Sequence, residues 1–268
     1  MGVLSFGAAD RLLRQAAYVR AAAVEIAILT GHLLLYPTGI FQERDAELAE
    51  MPRIPAPGPG AHPPVLLMHG FVDNRSVFAL LRRSLRRHGW THVQGLNYSP
   101  LTCDIRAAAA LLGHHIEQIC ERTGHSQVDI VGHSLGGLIA RYYVQRLGGD
   151  RRVRTLVTLG TPHSGTRAAP LLNPHPIIRQ MRPDSEIVEE LTKPAPGCRT
   201  RFVAFWSELD ELMIPVETAR LDHADLNTRN VHIAGIGHLT MPVHAAVAAG
   251  IRQALMGEEL ASDTVNAA

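Results

Sequence analysis

The sequence predicts an α/β protein with a mostly parallel sheet of about six strands, covered on both faces by helices. Three observations carry this. Short β-branched or apolar runs such as Val65-Leu66-Leu67-Met68 alternate with stretches of helical period. The runs are continuous rather than alternating, as strands buried on both faces require. The chain, 268 residues and 46% hydrophobic, is long enough to bury one large core.

The elements follow in order. Val65–Met68 is the first strand of the body. Arg75 to His88 carries Phe78, Leu81 and Leu85 at three- and four-residue spacing, with Arg82, Arg83, Arg86 and Arg87 on a face expected to be solvated. Thr91 to Asn97 reads as a second strand. Ile105, Ala109, Leu112, Ile116 and Ile119 mark a second helix. Gln127 to Val131, Val153 to Leu159, Arg201 to Trp206 and Asn230 to Ala234 are strands, Leu135 to Leu147 is a helix, and Val243 to Leu255 closes the body as a helix. In such sheets, sites lie beyond the carboxyl ends of the strands.

The domain plan has five parts. Residues 1–50 form an N-terminal helical segment, and 51–64, with six prolines, a Pro/Gly-rich linker. Residues 65–256 are the catalytic body, 161–197 a small cap within it, and 257–268 a flexible tail. The apolar stretch from Ala21 to Tyr36 spans about 24 Å as a helix, short of a ~30 Å hydrocarbon core. Glu25 interrupts it and no small-x-small cleavage pattern follows Leu35, which argues against a signal peptide. The expectation is an uncleaved helix that either packs on the domain or dips into a membrane surface through residues 11–36, giving a cytoplasmic or membrane-associated protein.

Net charge is +1 and no basic stripe is interleaved with aromatics, so a nucleic-acid partner is not expected. Cys103, Cys120 and Cys198 are odd in number and widely spaced, which does not suggest a disulfide frame.

The chemistry is concentrated at Gly132-His133-Ser134-Leu135-Gly136. A strand stops there and a helix begins, so Ser134 occupies a strained strand-to-helix turn that presents its hydroxyl beyond the sheet. A serine hydroxyl needs a base, an orienting acid and donors for an oxyanion. His238, on the glycine-bearing loop after the last strand, is the candidate base. Asp210, four residues past Trp206, is the candidate acid, with Glu208 and Glu211 as rivals. The backbone amides of Leu135 and Phe71 are the candidate oxyanion donors. His69, before the Gly70 turn, is expected to buttress that loop. Leu171, Ile177 and Met181 in the cap are candidate substrate contacts.

Taken together, His69-Gly70-Phe71, Gly132-His133-Ser134-Leu135-Gly136-Gly137, Leu159-Gly160-Thr161-Pro162-His163-Ser164-Gly165-Thr166, Ser207-x-x-Asp210 and Gly237-His238 resemble the bacterial lipases and esterases of the α/β-hydrolase superfamily. The likeness is to the small, nearly lidless members and covers roughly residues 62–256. It implies a Ser-His-Asp triad, an acyl-enzyme intermediate and an acyl ester or lipid substrate, with no cofactor. Some larger relatives hold calcium beside the histidine loop. No carboxylate follows His238 within Leu239-Thr240-Met241-Pro242, so no metal is expected. An acyltransferase or thioesterase with the same triad is the alternative, and a silent lipid-binding protein is the alternative of another class.

Overall fold

Val65–Met68 (β1) is apolar at all four positions and buried at all four, because the sheet is covered on both sides. In the computed structural model the described residues are 19–20, 22–31, 34, 37, 61–71, 73–98, 104–168, 175–258 and 264–266. Six further strands join β1: β2 (Val93–Leu96), β3 (Val128–His133), β4 (Val153–Leu159), β5 (Arg201–Trp206), β6 (Asn227–Ala234) and β7 (Thr264–Asn266). All pair in parallel, in the order β2-β1-β3-β4-β5-β6-β7.

The sheet therefore has seven strands rather than about six. The extra strand lies in the stretch expected to be a flexible tail, where Thr264 to Asn266 pair with His232 to Ala234. Three residues are too few for a period-two pattern to stand out from a polar terminus.

The helices of the body are α1 (Ala79–Arg87), α2 (Ile105–Thr123), α3 (Leu135–Arg146), α4 (Pro176–Arg179), α5 (Glu186–Thr192) and α6 (Ala245–Met256). Asp104 starts α2 by accepting from the Ala107 amide at 2.7 Å, and Gly124, at φ 70°, ends it. The five apolar residues read from the period of α2 are all buried. On α1, Arg83, Arg86 and Arg87 are exposed, as a solvated face requires.

Two apolar clusters lie on the two faces of the sheet. One joins α2, α3 and the cap helices α4 and α5, and the other joins α1 and α6. The chain runs from β1 out to β2 and then returns across β1 to β3. At that reversal the connections leave in opposite directions and open a crevice at the carboxyl edge. The loops after β1 and β3 flank it.

At the N-terminus residues 19–20 and 22–31 are helical, with Ala22, Glu25 and Ile28 half-buried and Val19, Ile26 and Leu34 prominently exposed. Among the described residues no helix is long and apolar enough to cross a membrane. Arg11, Arg14, Cys103, Leu171 and most of the proline-rich linker lie outside the described residues.

Candidate active site

Ser134 has φ 52° and ψ −121°, and it is the one non-glycine residue at positive φ among the described residues. Such a conformation costs of order 1–3 kcal/mol and persists only where neighbours enforce it. Here the Ser134 amide donates to the Leu159 carbonyl at 2.9 Å, and the Thr161 hydroxyl donates to the Ser134 carbonyl at 3.0 Å.

The flanking glycines serve close approach. A Cβ on Gly132 would stand 2.5 Å from the Gly137 Cα, and one on Gly136 would stand 2.4 Å from the Met68 carbonyl oxygen. Helix α3 thus begins hard against the ends of β1 and β3. Ser134 precedes α3 without spending its hydroxyl as a side-chain cap. The first amides of any helix lack intrahelical acceptors, so the Leu135 amide opens toward the same space.

His238 follows β6 on the loop Gly235-Ile236-Gly237 and is buried. Its Nδ1 lies 3.0 and 2.9 Å from the two carboxylate oxygens of Asp210. With Nδ1–H donating to the carboxylate, the lone pair of Nε2 is left for a substrate proton. Asp210 is itself held, since its Oδ1 accepts from the amides of Leu212 and Met213 at 3.1 and 3.2 Å. The Ser207 hydroxyl donates to the Ile236 carbonyl at 2.6 Å and ties the acid loop to the histidine loop. Glu208 instead contacts His232 at 2.5 Å, and Glu211 is exposed. It is therefore Asp210, and neither rival, that meets His238.

Burial pulls the His238 imidazole toward a lower pKa. The charge and hydrogen bond of Asp210, with smaller contributions from Glu25 and Asp73, outweigh it and leave the pKa raised above 6.5.

Gly160 brings Ser134 and the histidine pair together. It sits one residue past the carbonyl that receives the Ser134 amide. At φ +50° a Cβ there would stand 2.7 Å from Asp210 Oδ2 and 2.9 Å from His238 Nδ1. Among the described residues no hydrogen bond joins the Ser134 hydroxyl to His238. In unliganded sites that bond is often long and tightens with substrate.

The loop after β1 closes the other side. Gly70 leaves room for Ser134, whose Cβ would lie 3.4 Å from a Gly70 Cβ. His69 is buried, and its Nδ1–H donates to the Gly70 carbonyl at 2.8 Å. Its ring stacks on Tyr98 at 4.5 Å, and the Tyr98 hydroxyl donates to the His69 carbonyl. Burial holds the His69 pKa below 6.5. A ring held in this way on both sides steadies the Phe71 turn.

Ile177 and Met181 are buried in the same apolar cluster as Ile105, Tyr142 and Ile187. They help close the core beneath α4 and α5. Apolar side chains on short helices over a hydrophobic layer bury against it first.

Three neighbours of the site were not legible from spacing. His133 donates from Nε2 to the His238 carbonyl at 3.2 Å and turns Nδ1 toward Asp73 at 3.5 Å. Glu25 reaches the residues after His238 from the N-terminal helix. Only His133 had a signal, its place directly before the serine.

Residues 64–196 match the profile of a family described as palmitoyl protein thioesterase. The chain is similar to a triacylglycerol lipase from Pseudarthrobacter phenanthrenivorans, at 30% identity over 114 residues, covering 40% of this chain and 35% of that one. A triacylglycerol lipase from Burkholderia plantarii gives 30% over 114 residues, with 40% and 31% covered. The chain thus spans about a third of the length of these curated relatives. The mature form of the Bacillus licheniformis lipase BlEst2 superposes with a TM-score of 0.58 at 16% identity, covering 73% of this chain and 96% of that one. The strand order, the strained serine turn and this likeness together place the chain among proteins of the α/β-hydrolase fold.

Proposed function

We propose that the chain is a serine-dependent carboxylic ester hydrolase acting on acyl esters or lipids through an acyl-enzyme intermediate, with Ser134, His238 and Asp210 as its triad. The observation that carries this is the bonded Asp210–His238 pair, set across Gly160 from the strained turn that displays Ser134.

In the proposed reaction His238 Nε2 takes the Ser134 proton as the oxygen attacks the ester carbonyl. Asp210 holds the tautomer and steadies the imidazolium. The amides of Leu135 and Phe71 receive the oxyanion, each contributing about 3 kcal/mol to lowering the barrier. The imidazolium returns its proton to the departing alcohol. Water, deprotonated by His238, then releases the acid and restores Ser134. No step calls for a cofactor.

Ser134→Ala is expected to lower turnover of p-nitrophenyl esters by at least about 10⁴-fold without loss of fold. Activity near wild type would reject the assignment.

A thioester substrate is the second reading, and the family match over residues 64–196 favours it. The acyl-enzyme would be the same, with a thiolate as leaving group. Comparing kcat/KM on matched acyl esters and acyl thioesters separates the two. A lipid surface is the proposed partner of the outer face of the N-terminal helix, on which Val19, Ile26 and Leu34 are exposed.

A further inference from the structure

The loop that carries His238 makes its own turn without a carboxylate, and it borrows one from the other end of the chain. Glu25 of the N-terminal helix places Oε2 2.7 Å from the Leu239 amide and Oε1 3.0 Å from the Thr240 amide. The Thr240 hydroxyl also donates to Oε1, at 2.6 Å. Both oxygens are thus engaged on the two residues that follow the base. Charge-assisted bonds of this kind are short and directional, and they fix a turn more firmly than neutral ones.

Gly237, the residue before His238, is shaped to the same group. A Cβ there would stand 2.6 Å from the Glu25 carboxyl carbon and 2.7 Å from its Cγ. Its φ is not in the left-handed region, so the missing side chain makes room for the carboxylate. The rest of the helix surface near Glu25 is half-buried or exposed. Among the described residues the Glu25 carboxylate supplies the hydrogen bonds that tie this helix to the residues after His238.

We infer that Glu25 is a positioning residue for catalysis, holding the His238 loop in register through the amides of Leu239 and Thr240. The inference rests on the hydrolase reading above. The field at His238 has four facing contributors: Asp210 from the loop after β5, Asp73 from the loop after β1, His133 from the end of β3, and Glu25. The carboxylates favour the imidazolium, while burial and His238 lower the pKa of His133 itself. Removing the Glu25 charge therefore lowers the proton affinity of His238 as well as loosening its loop.

The test uses the full chain with Glu25→Gln, Glu25→Ala and, independently, Gly237→Ala, whose methyl group takes the carboxylate's place. Turnover of p-nitrophenyl butyrate is measured from pH 5 to 9, with a thermal melt of each variant. In Glu25→Gln, kcat is expected to fall about tenfold or more with KM little changed, since displacing a catalytic group slightly costs that much. The acid limb of kcat/KM moves to lower pH. Gly237→Ala reproduces the fall in kcat. Folded Glu25→Gln with wild-type kcat and acid limb overturns the proposal, and so does a loss of kcat with the acid limb unmoved, which would make Glu25 an anchor for the helix alone. Because Glu25→Gln keeps the side chain's size, it decides the matter where Glu25→Ala does not fold. Titration of the His238 ring by NMR needs no turnover and separates this proposal from the hydrolase reading. An unchanged titration in Glu25→Gln overturns the role of Glu25, whereas a shifted one in a protein inactive on every ester and thioester counts against the hydrolase reading alone.

Discussion

The proton on His238 is held by one carboxylate in bonding contact and opposed by burial, and the balance leaves its pKa above 6.5. Two consequences follow, with opposite pH dependence. The base must be neutral to work, so the acid limb of kcat/KM is expected above pH 6.5, and Asp210→Asn should move it to lower pH. The same substitution should cut kcat by about 10⁴-fold, because the tautomer is no longer set. A pH–rate profile of the two proteins checks both. For stability, a histidine whose folded pKa is raised contributes fully below its unfolded pKa, and that contribution is lost as pH rises through the folded value. The site is therefore tightest on the acid side, where it is least active. At this scale much was legible. Ser134 was singled out by the glycines that a strained turn demands, and His238 and the carboxylate loop by their places after strands. Sequence spacing could not choose among Asp210, Glu208 and Glu211, because one loop carries all three and only the fold turns Asp210 inward.

At the scale of elements, the segment carrying α4 and α5 is bound to α3, the helix that follows Ser134. On α3, Arg141 donates to the carbonyls of His163 and Leu191 at 2.8 and 2.9 Å and to Gln145 Oε1 at 2.6 Å. Arg146 donates to the carbonyls of Lys193 and Pro194, and Tyr142 donates to Glu190 at 2.5 Å. Arg141 is buried and no carboxylate pairs with it among the described residues. Burial, and then Arg146, push it down to about 9. Its role is to satisfy backbone carbonyls where water does not reach. Arg141→Ala would leave the His163 carbonyl without a partner among the described residues and the Leu191 carbonyl with only Gln145 Nε2, at 3.3 Å, at a cost of about 2–3 kcal/mol, or roughly 4–12 °C in Tm for a body of this size. Arg106, which pairs with Glu186 and Glu190 from a position 36% exposed, is the control. Its replacement by Ala should cost about 1 kcal/mol or less, since solvent screens exposed pairs. Thermal melts of the two variants decide it, and equal losses would contradict this view of the cap. The apolar cap residues were visible in the sequence as candidates to line a pocket. That Ile177 and Met181 are buried in the core cluster follows from the docking of α4 and α5 on α3, which no local period encodes.

For the whole molecule, the continuous apolar strands and amphipathic helices specified the parallel sheet, and its order then brought loops from distant parts of the chain to one edge. The N-terminal segment was the least legible part. Its periodicity could not separate a packed helix from one lying in a lipid surface, and the described residues show Glu25 turned to the site and Val19, Ile26 and Leu34 turned away. A helix with those two faces is suited to lie between the body and a lipid surface. Deletion of residues 1–40 is expected to move the protein from the membrane fraction to the soluble one. Equal partition of the two forms would remove the lipid-surface reading.

The central claim is that Ser134 is a nucleophile made reactive by His238, and active-site labelling tests it most directly. Full-length protein treated with a fluorophosphonate probe, digested and analysed by mass spectrometry should carry one adduct, on the peptide containing Ser134, and His238→Ala should all but abolish it. An adduct on another residue, or equal labelling with and without His238, would contradict the account.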